Sequence, residues 1–217
     1  MRIHPLPRRP GRRWPVLVAA VSAAALTQIP LTLPAHAAVP TGCTVVPVTD
    51  GNTITCTAGI PAGQTLDTGP GNDHITITGT VLGTVNGQEG DDQITVTGTP
   101  GVLNVTPTGP GVAPAGIVDG GAGTDTITVT GGAGIAKFPS KNVAVGTGGP
   151  GVLGAVRGGT EADSITVTGG AGGAPNPNRG APGGPGTSTG AVVDGGDGAD
   201  TSPWRAAAAV WGTTAGC

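Results

Sequence analysis

The sequence predicts an all-β chain wound as a parallel β-solenoid, and three observations predict it. A unit ending in Ile-Thr-Ile-Thr-Gly or Ile-Thr-Val-Thr-Gly recurs along the chain, and self-similarity of this kind is the mark of stacked repeats. Each copy follows a glycine-rich turn that carries an aspartate at a fixed place. The chain also has 43 Gly, 21 Pro, three Trp, one Phe and no Tyr among 217 residues, too few large side chains for a helix-rich globular core. Gly and Pro together make about 29% of it, against about 12% in ordinary soluble domains. Totals alone leave a disordered chain, a collagen-like chain or a repeat protein. Collagen falls because Gly does not recur at every third position; the order of residues decides the rest.

Residues 1–37 read as an export signal. Arg2, Arg8, Arg9, Arg12 and Arg13 form a basic start, Val16 to Leu33 runs uncharged, and Ala35-His36-Ala37 is a small-x-small cleavage pattern. Cleavage is expected after Ala37, with a secreted, extracellular product and no membrane partner afterwards. An uncleaved anchor competes, but Ala, Thr, Pro30 and Pro34 make a poor span. Cleavage leaves Lys137, Lys141, Arg157, Arg179 and Arg205 against 13 acids, a net charge of −8. That balance disfavours nucleic acid and anionic membranes and favours cations.

Residues 38–66 are expected to form a small β cap. Val45-Val46-Pro47-Val48, Thr49-Asp50-Gly51-Asn52 and Thr53-Ile54-Thr55 read as strand, turn and strand. Cys43 and Cys56 flank them, and in an oxidising compartment they are expected to pair, with Cys217 left over.

The repeat region spans 67–201. The superimposable segments run from Gly69 to Gly79, Gln88 to Gly98, Gly121 to Gly131 and Gly159 to Gly169; a fifth begins at Asp194 and breaks off into Ser202-Pro203-Trp204. Their aligned aspartates, Asp73, Asp92, Asp125, Asp163 and Asp200, stand 19, 33, 38 and 37 residues apart. With about 18 residues to a coil, these intervals suggest one, two, two and two coils. Alternation within each Ile-Thr-Val-Thr unit predicts a strand with one buried face. Ile75, Ile77, Ile94, Val96, Ile127, Val129, Ile165 and Val167 should point inward and their Thr neighbours outward. Thr84-Val85, Gly116-Ile117-Val118, Gly154-Ala155-Val156 and Ala191-Val192-Val193 are candidates for the opposing strand, with only Leu66 in that place before Asp73.

Most of the acids lie in or beside the repeat turns. Stacked carboxylates repel unless neutralised, and outside a cell Ca²⁺ is the abundant hard cation that takes six or more oxygens. Here the sequence resembles the haemolysin-type, or repeats-in-toxin, calcium-binding proteins, whose nonapeptide is Gly-Gly-x-Gly-x-Asp-x-(large apolar)-x. The best match is Gly120-Gly121-Ala122-Gly123-Thr124-Asp125-Thr126-Ile127-Thr128. The others depart at Thr68, Gln88, Glu161 and Ser202. The resemblance implies a parallel β-roll with Ca²⁺ held between turns. Its ligands would be the carboxylates of Asp73, Asp92, Asp125, Asp163 and Asp200 and the carbonyls of Gly69, Gly71, Gly90, Gly121, Gly123, Gly196 and Gly198.

The Gly/Pro-rich spacers, above all 169–190, read as disordered loops. In the tail, 202–217, Ser202-Pro203-Trp204-Arg205-Ala-Ala-Ala-Ala-Val210-Trp211 suggests two helical turns that cap an open end, or a truncated or frame-shifted terminus. No enzyme is expected: His74 occupies a variable repeat position, and no nucleophile elbow, His-Glu-x-x-His or P-loop is present. The sequence therefore points to a secreted protein in which Ca²⁺ drives folding and whose role is structural or at a surface. The alternative is a metal-independent adhesion or recognition solenoid that displays Thr76/Thr78, Thr95/Thr97, Thr128/Thr130 and Thr166/Thr168. Flat threonine arrays are similar to those of ice-binding solenoids, although threonine is ordinary on a strand's outer face and the intervals between repeats are uneven.

Overall fold

A computed structural model describes residues 39–102, 108–135, 146–173 and 181–201 and the backbone of 204 and 205. Residues 1–37, read above as an export signal, and Lys137, Lys141, Arg179 and Cys217 lie outside the described residues.

The described chain is all-β. Its strands are β1 (Cys43–Val48), β2 (Gly51–Cys56), β3 (Thr65–Asp67), β4 (His74–Thr78), β5 (Thr84–Asn86), β6 (Gln93–Thr97), β7 (Ile117–Ala122), β8 (Thr126–Thr130), β9 (Ala155–Thr160), β10 (Ser164–Thr168), β11 (Val192–Asp197) and β12 (Trp204–Arg205). They form two sheets, ordered β1-β2-β4-β6-β8-β10-β12 and β11-β9-β7-β5-β3. From β3 on, successive strands alternate between the sheets and pair in parallel with the strand of the repeat before. One repeat thus adds one strand to each sheet, and we call this unit a tier. The four apolar stretches expected to oppose the Ile-Thr-Val-Thr strands are the starts of β5, β7, β9 and β11.

The expectation of two coils per long interval is corrected by the pairing. β6 hydrogen-bonds directly to β8, and β8 to β10, in full register from Gln93↔Thr126 to Thr130↔Thr168. Each interval is a single tier, because the extra residues leave the stack between its two sheets instead of winding round it.

The core is the inward half of that alternation. All eight predicted Ile and Val side chains are buried, with Leu66, Val85, Val118 and Val156 from the second sheet. A further column not read from the sequence consists of Ile60, Val81, Val112 and Val152, linked by isolated parallel bridges and each 0% exposed. Each such side chain contributes about 1.5–3 kcal/mol on leaving water. At the N-terminal end, β1 and β2 form the expected hairpin, closed by a Cys43–Cys56 disulfide. β2 then pairs in parallel with β4, so β1 covers the sheet edge. At the other end, Trp204–Arg205 pairs with Val167–Thr168 as a strand, where a helix was expected to begin.

The spacers are the second correction. Their tips, 103–107, 136–145 and 174–180, lie outside the described residues, but their flanks are ordered against one another. Amides run in a continuous chain from Gly184 to the Gly170 carbonyl, Gly170 to Gly149, Gly149 to Gly132, Gly132 to Gly109 and Gly109 to Thr99. Other contacts recur every third residue: Gly98 to Thr130 and Gly101 to Ala133, Gly131 to Thr168 and Gly134 to Ala171, Gly148 to Pro182 and Gly151 to Pro185. Three residues per turn is the period of the polyproline II helix, which has no internal hydrogen bonds and must find partners outside itself. Glycine lets these segments touch: a methyl on Gly132 would stand 1.9 Å from the Thr99 carbonyl oxygen, and one on Gly170 1.9 Å from that of Gly132. Much of the glycine that composition assigns to disorder is packing here.

Candidate functional site

Each turn before an aspartate bends the backbone into the left-handed region twice, four and two residues ahead of it. The pairs are Gly69 and Gly71, Gln88 and Gly90, Gly121 and Gly123, Gly159 and Glu161, and Gly196 and Gly198. Gln88 and Glu161, two of the departures from the nonapeptide, keep this conformation with φ of 75° and 73°, at a cost of about 1 kcal/mol or more each. Glu161 gains something in return, since its Oε2 accepts the Gly123 N–H at 2.9 Å.

The aspartates at the ends of these turns point inward. Asp73, Asp92, Asp125 and Asp163 are buried, and each carboxylate accepts the amide of its counterpart one tier earlier. Asp73 N–H donates to Asp92 Oδ1 at 2.8 Å, Asp92 N–H to Asp125 Oδ1 at 2.8 Å, Asp125 N–H to Asp163 Oδ1 at 2.8 Å and Asp163 N–H to Asp200 Oδ1 at 2.9 Å. Asn52 begins this ladder: its N–H reaches Asp73 Oδ1 at 2.6 Å, and its Nδ2 reaches the same oxygen and the Thr68 carbonyl, both at 3.0 Å. Half-buried Asp200 ends it.

The second carboxylate oxygens are the exceptional atoms. Oδ2 of Asp73, Asp92, Asp125 and Asp163 is buried with no hydrogen-bond partner among the described residues. Glycine roofs three of them, for a methyl on Gly87, Gly120 or Gly158 would stand 2.2 Å from Oδ2 of Asp92, Asp125 or Asp163. This accounts for the first glycine of those repeats, whereas Thr68 stands in that place before Asp73. Burial pushes Asp92 up to about 7, against the hydrogen bond from the Asp73 amide, with the charges of Asp125, Asp73 and Asp91 adding to the rise. Burial likewise pushes Asp125 up to about 6 and raises Asp163. With tiers about 4.8 Å apart, two ionised neighbours repel by about 3 kcal/mol at an effective dielectric of about 20. The ladder therefore favours protons, or a cation, over full ionisation.

The ligand set implied for calcium is brought into one column but not into one shell. Asp73, Asp92, Asp125 and Asp163 each spend one oxygen on an amide and bury the other, in the last three under glycine. The Gly71 carbonyl oxygen lies 2.4 Å from where a Gly90 methyl would stand, Gly90 O 2.3 Å from that of Gly123 and Gly121 O 1.8 Å from that of Gly159. These carbonyls face the backbone of the next tier. Gly69, Gly123, Gly196 and Gly198 supply the bends beside them. Among the described residues no group of three or more His, Cys, Asp or Glu side chains is arranged to hold a metal ion. In this backbone conformation the donors do not fit a Ca²⁺ shell of six to eight oxygens.

Comparison with protein-family models, curated proteins and solved structures finds no match for this chain.

The outer face of the first sheet is the other ordered feature. Cross-strand partners place Thr44, Thr55, Thr76, Thr95, Thr128 and Thr166 in one unbroken rank over six strands. Thr78, Thr97, Thr130 and Thr168 form a second rank over four. The flanking rank is Thr53, His74, Gln93, Thr126 and Ser164. His74 is exposed there, the surface strand position that its repeat context suggests. No Asp, Glu, Lys or Arg occupies these ranks on β1 to β10. The second sheet contrasts with it: Asp67, Asn86, Asp119, Arg157 and Asp194 make a cross-strand row of mixed charge. Burial raises Asp119, and the Arg157 guanidinium pulls it back.

Sequence reasoning missed the N–H to carboxylate ladder, the glycine roof and Asn52. The last was readable, since Asn52-Thr53-Ile54-Thr55 repeats Asp73-His74-Ile75-Thr76 with Asn in place of Asp.

Proposed function

We propose that this chain is an extracellular β-solenoid that presents a rigid, uncharged threonine face to a partner surface. The observation that carries this reading is the rank of six threonines in register across six strands. Buried Ile and Val lie beneath the ranks, and β-branched threonine has few rotamers to lose on contact. The export signal read in 1–37 and the Cys43–Cys56 bond support an oxidising compartment outside the cell. The test is retention of the folded protein on a panel of insoluble surfaces (whole cells, chitin, cellulose and ice), comparing wild type with Thr95→Lys/Thr128→Lys. Retention on at least one surface that the variant loses is expected. Equal retention of both proteins, or none by wild type, overturns the reading.

A second reading, Ca²⁺-linked folding, is supported by one observation: four buried carboxylate oxygens in register without partners. Together with the expected mature charge of −8, these would be neutralised by a divalent ion, and binding to the folded state alone adds its free energy to stability. This reading requires the turns to open relative to the conformation described above. Calorimetric titration with Ca²⁺, and melting with EDTA or with Ca²⁺ in excess, tests it; an unchanged melting temperature rejects it.

A further inference from the structure

We infer that the partner of the threonine face is ice. This rests on the proposed function and names its occupant. A face recognises a partner by charge, by pockets, by aromatic platforms or by a repeat. The two threonine ranks on β1 to β10 carry no charged side chain and no aromatic ring, and the flanking rank adds only the imidazole of His74. Ion pairing with an acidic or basic macromolecule is thereby excluded. So is stacking of sugar rings on aromatic platforms, the usual way to grip a polysaccharide surface.

What the face does possess is translational order in two directions. Parallel pairing sets the interval across strands at about 4.8 Å, and the two-residue strand period sets the interval along them at about 6.7 Å. Each position of the two full ranks repeats one motif, a hydroxyl beside a methyl, on a side chain with restricted χ1. Only a partner periodic on the same scale meets every position at once, and crystalline water is such a solid. The methyls hold first-shell water in place without competing for its hydrogen bonds, and the hydroxyls anchor it. A lysine or aspartate would orient water around its own charge and break the pattern. The distribution of charge agrees: the described carboxylates lie in turns, in the buried ladder or on the second sheet, Arg157 lies on the second sheet, and Arg205 enters the first sheet only on β12, beyond the Thr168 end of the second rank.

The uneven intervals in the sequence argue against such an array only if spacers insert tiers. They do not, since β4, β6, β8 and β10 are consecutive neighbours.

The experiment is partition of the full disulfide-bonded chain into slowly growing ice, with thermal hysteresis measured on the same sample. Thr128→Lys lies at the centre of the rank, Thr128→Val keeps the shape without the hydroxyl, and Thr84→Lys on the second sheet is the control; melting curves confirm folding of each. Wild type and Thr84→Lys are expected to enrich in ice, and Thr128→Lys to lose about tenfold of that affinity, the scale of one lost contact of about 1.4 kcal/mol. Thr128→Val should fall between them. Exclusion of wild type from ice, or equal enrichment of Thr128→Lys, overturns the inference. Exclusion from ice with Thr-dependent retention on another surface overturns ice alone and leaves the proposed face standing.

Discussion

Raising the pH from 5 to 8 should destabilise this protein, and the aspartate ladder sets the amount. Asp92 in the folded chain titrates at about 7 and Asp125 at about 6, against an ordinary value of 3.8 for each. The folded state therefore binds protons more tightly than the unfolded state, and stability falls with pH wherever that is so. Each pH unit between the folded and unfolded values corresponds to about 1.4 kcal/mol. Over the whole titration the two groups would lose about 4 and 3 kcal/mol, but the unfolded chain is already ionised at pH 5, so only about 2.6 and 1.4 kcal/mol of that falls between pH 5 and 8; halving for water reaching the rim of the turns leaves about 2 kcal/mol together. The stabilisation is complete below pH 3.8, shrinks as pH rises, and is gone above about 7.

At about 2–4 °C per kcal/mol for a chain of this size, the melting temperature should drop by about 4–8 °C between pH 5 and 8. Circular dichroism melts with EDTA present keep stray cations from neutralising the carboxylates. Asp92→Asn keeps the oxygen that accepts the Asp73 amide while removing the charge, so its pH slope should be about half that of wild type. A flat profile in wild type, or an undiminished slope in Asp92→Asn, would refute the argument that burial without a partner keeps these groups protonated.

Gly120→Ala drives a methyl to within 2.2 Å of Asp125 Oδ2 and should cost about 3 kcal/mol or more, the scale of overpacking; Gly63→Ala, with open space but φ of 74°, should cost about 1 kcal/mol, and chemical denaturation separates them. Hydrogen exchange should find the amides of Gly132, Gly149 and Gly170 protected, as buried hydrogen-bonded amides are, whereas exchange at the free-chain rate would return the spacers to disorder. Reducing the Cys43–Cys56 bond, 13 residues apart, should lower stability by about 3 kcal/mol, read as a shift in the denaturant midpoint. Gln88→Gly should raise stability by about 0.5–1 kcal/mol by relieving a φ of 75°, net of the entropy that glycine loses on folding.

The two strands of each tier and their inward residues were legible because period-two alternation reports one buried face directly. Asp73, Asp92, Asp125 and Asp163 were legible as a set, but not in orientation. A Gly-x-Gly-x-Asp turn shows that a carboxylate sits at a bend; whether it faces solvent, a cation or the next tier's amide depends on how the tiers stack, which lies outside the local pattern. The tier count failed for a related reason. Interval length counts residues without saying whether they wind round the stack or leave it, and the spacers leave it. Ile60, Val81, Val112 and Val152 escaped notice because each stands in a one- or two-residue apolar step bounded by Gly, Pro or Thr, too short to show alternation.

The same architecture ties the two ordered features together. Identical tiers in register would stack like charges at about 4.8 Å on any outer position that carried one, so a charged residue in the repeat is unfavourable five times over. The ladder escapes this penalty by burying its carboxylates against amides, where desolvation raises Asp92, Asp125 and Asp163 towards their protonated forms. The second sheet escapes it by varying the residue from tier to tier, so that Arg157 lies between Asp119 and Asp194. The first sheet takes the remaining solution, an uncharged side chain kept constant, and only this solution leaves a face that is both exposed and periodic. The threonine array is then the one surface of the described chain able to read another lattice. If the Thr128→Lys variant melts like wild type yet loses its partner, periodicity and stability will have been separated experimentally: the tier repeat builds the stack, and the choice of threonine within it serves recognition.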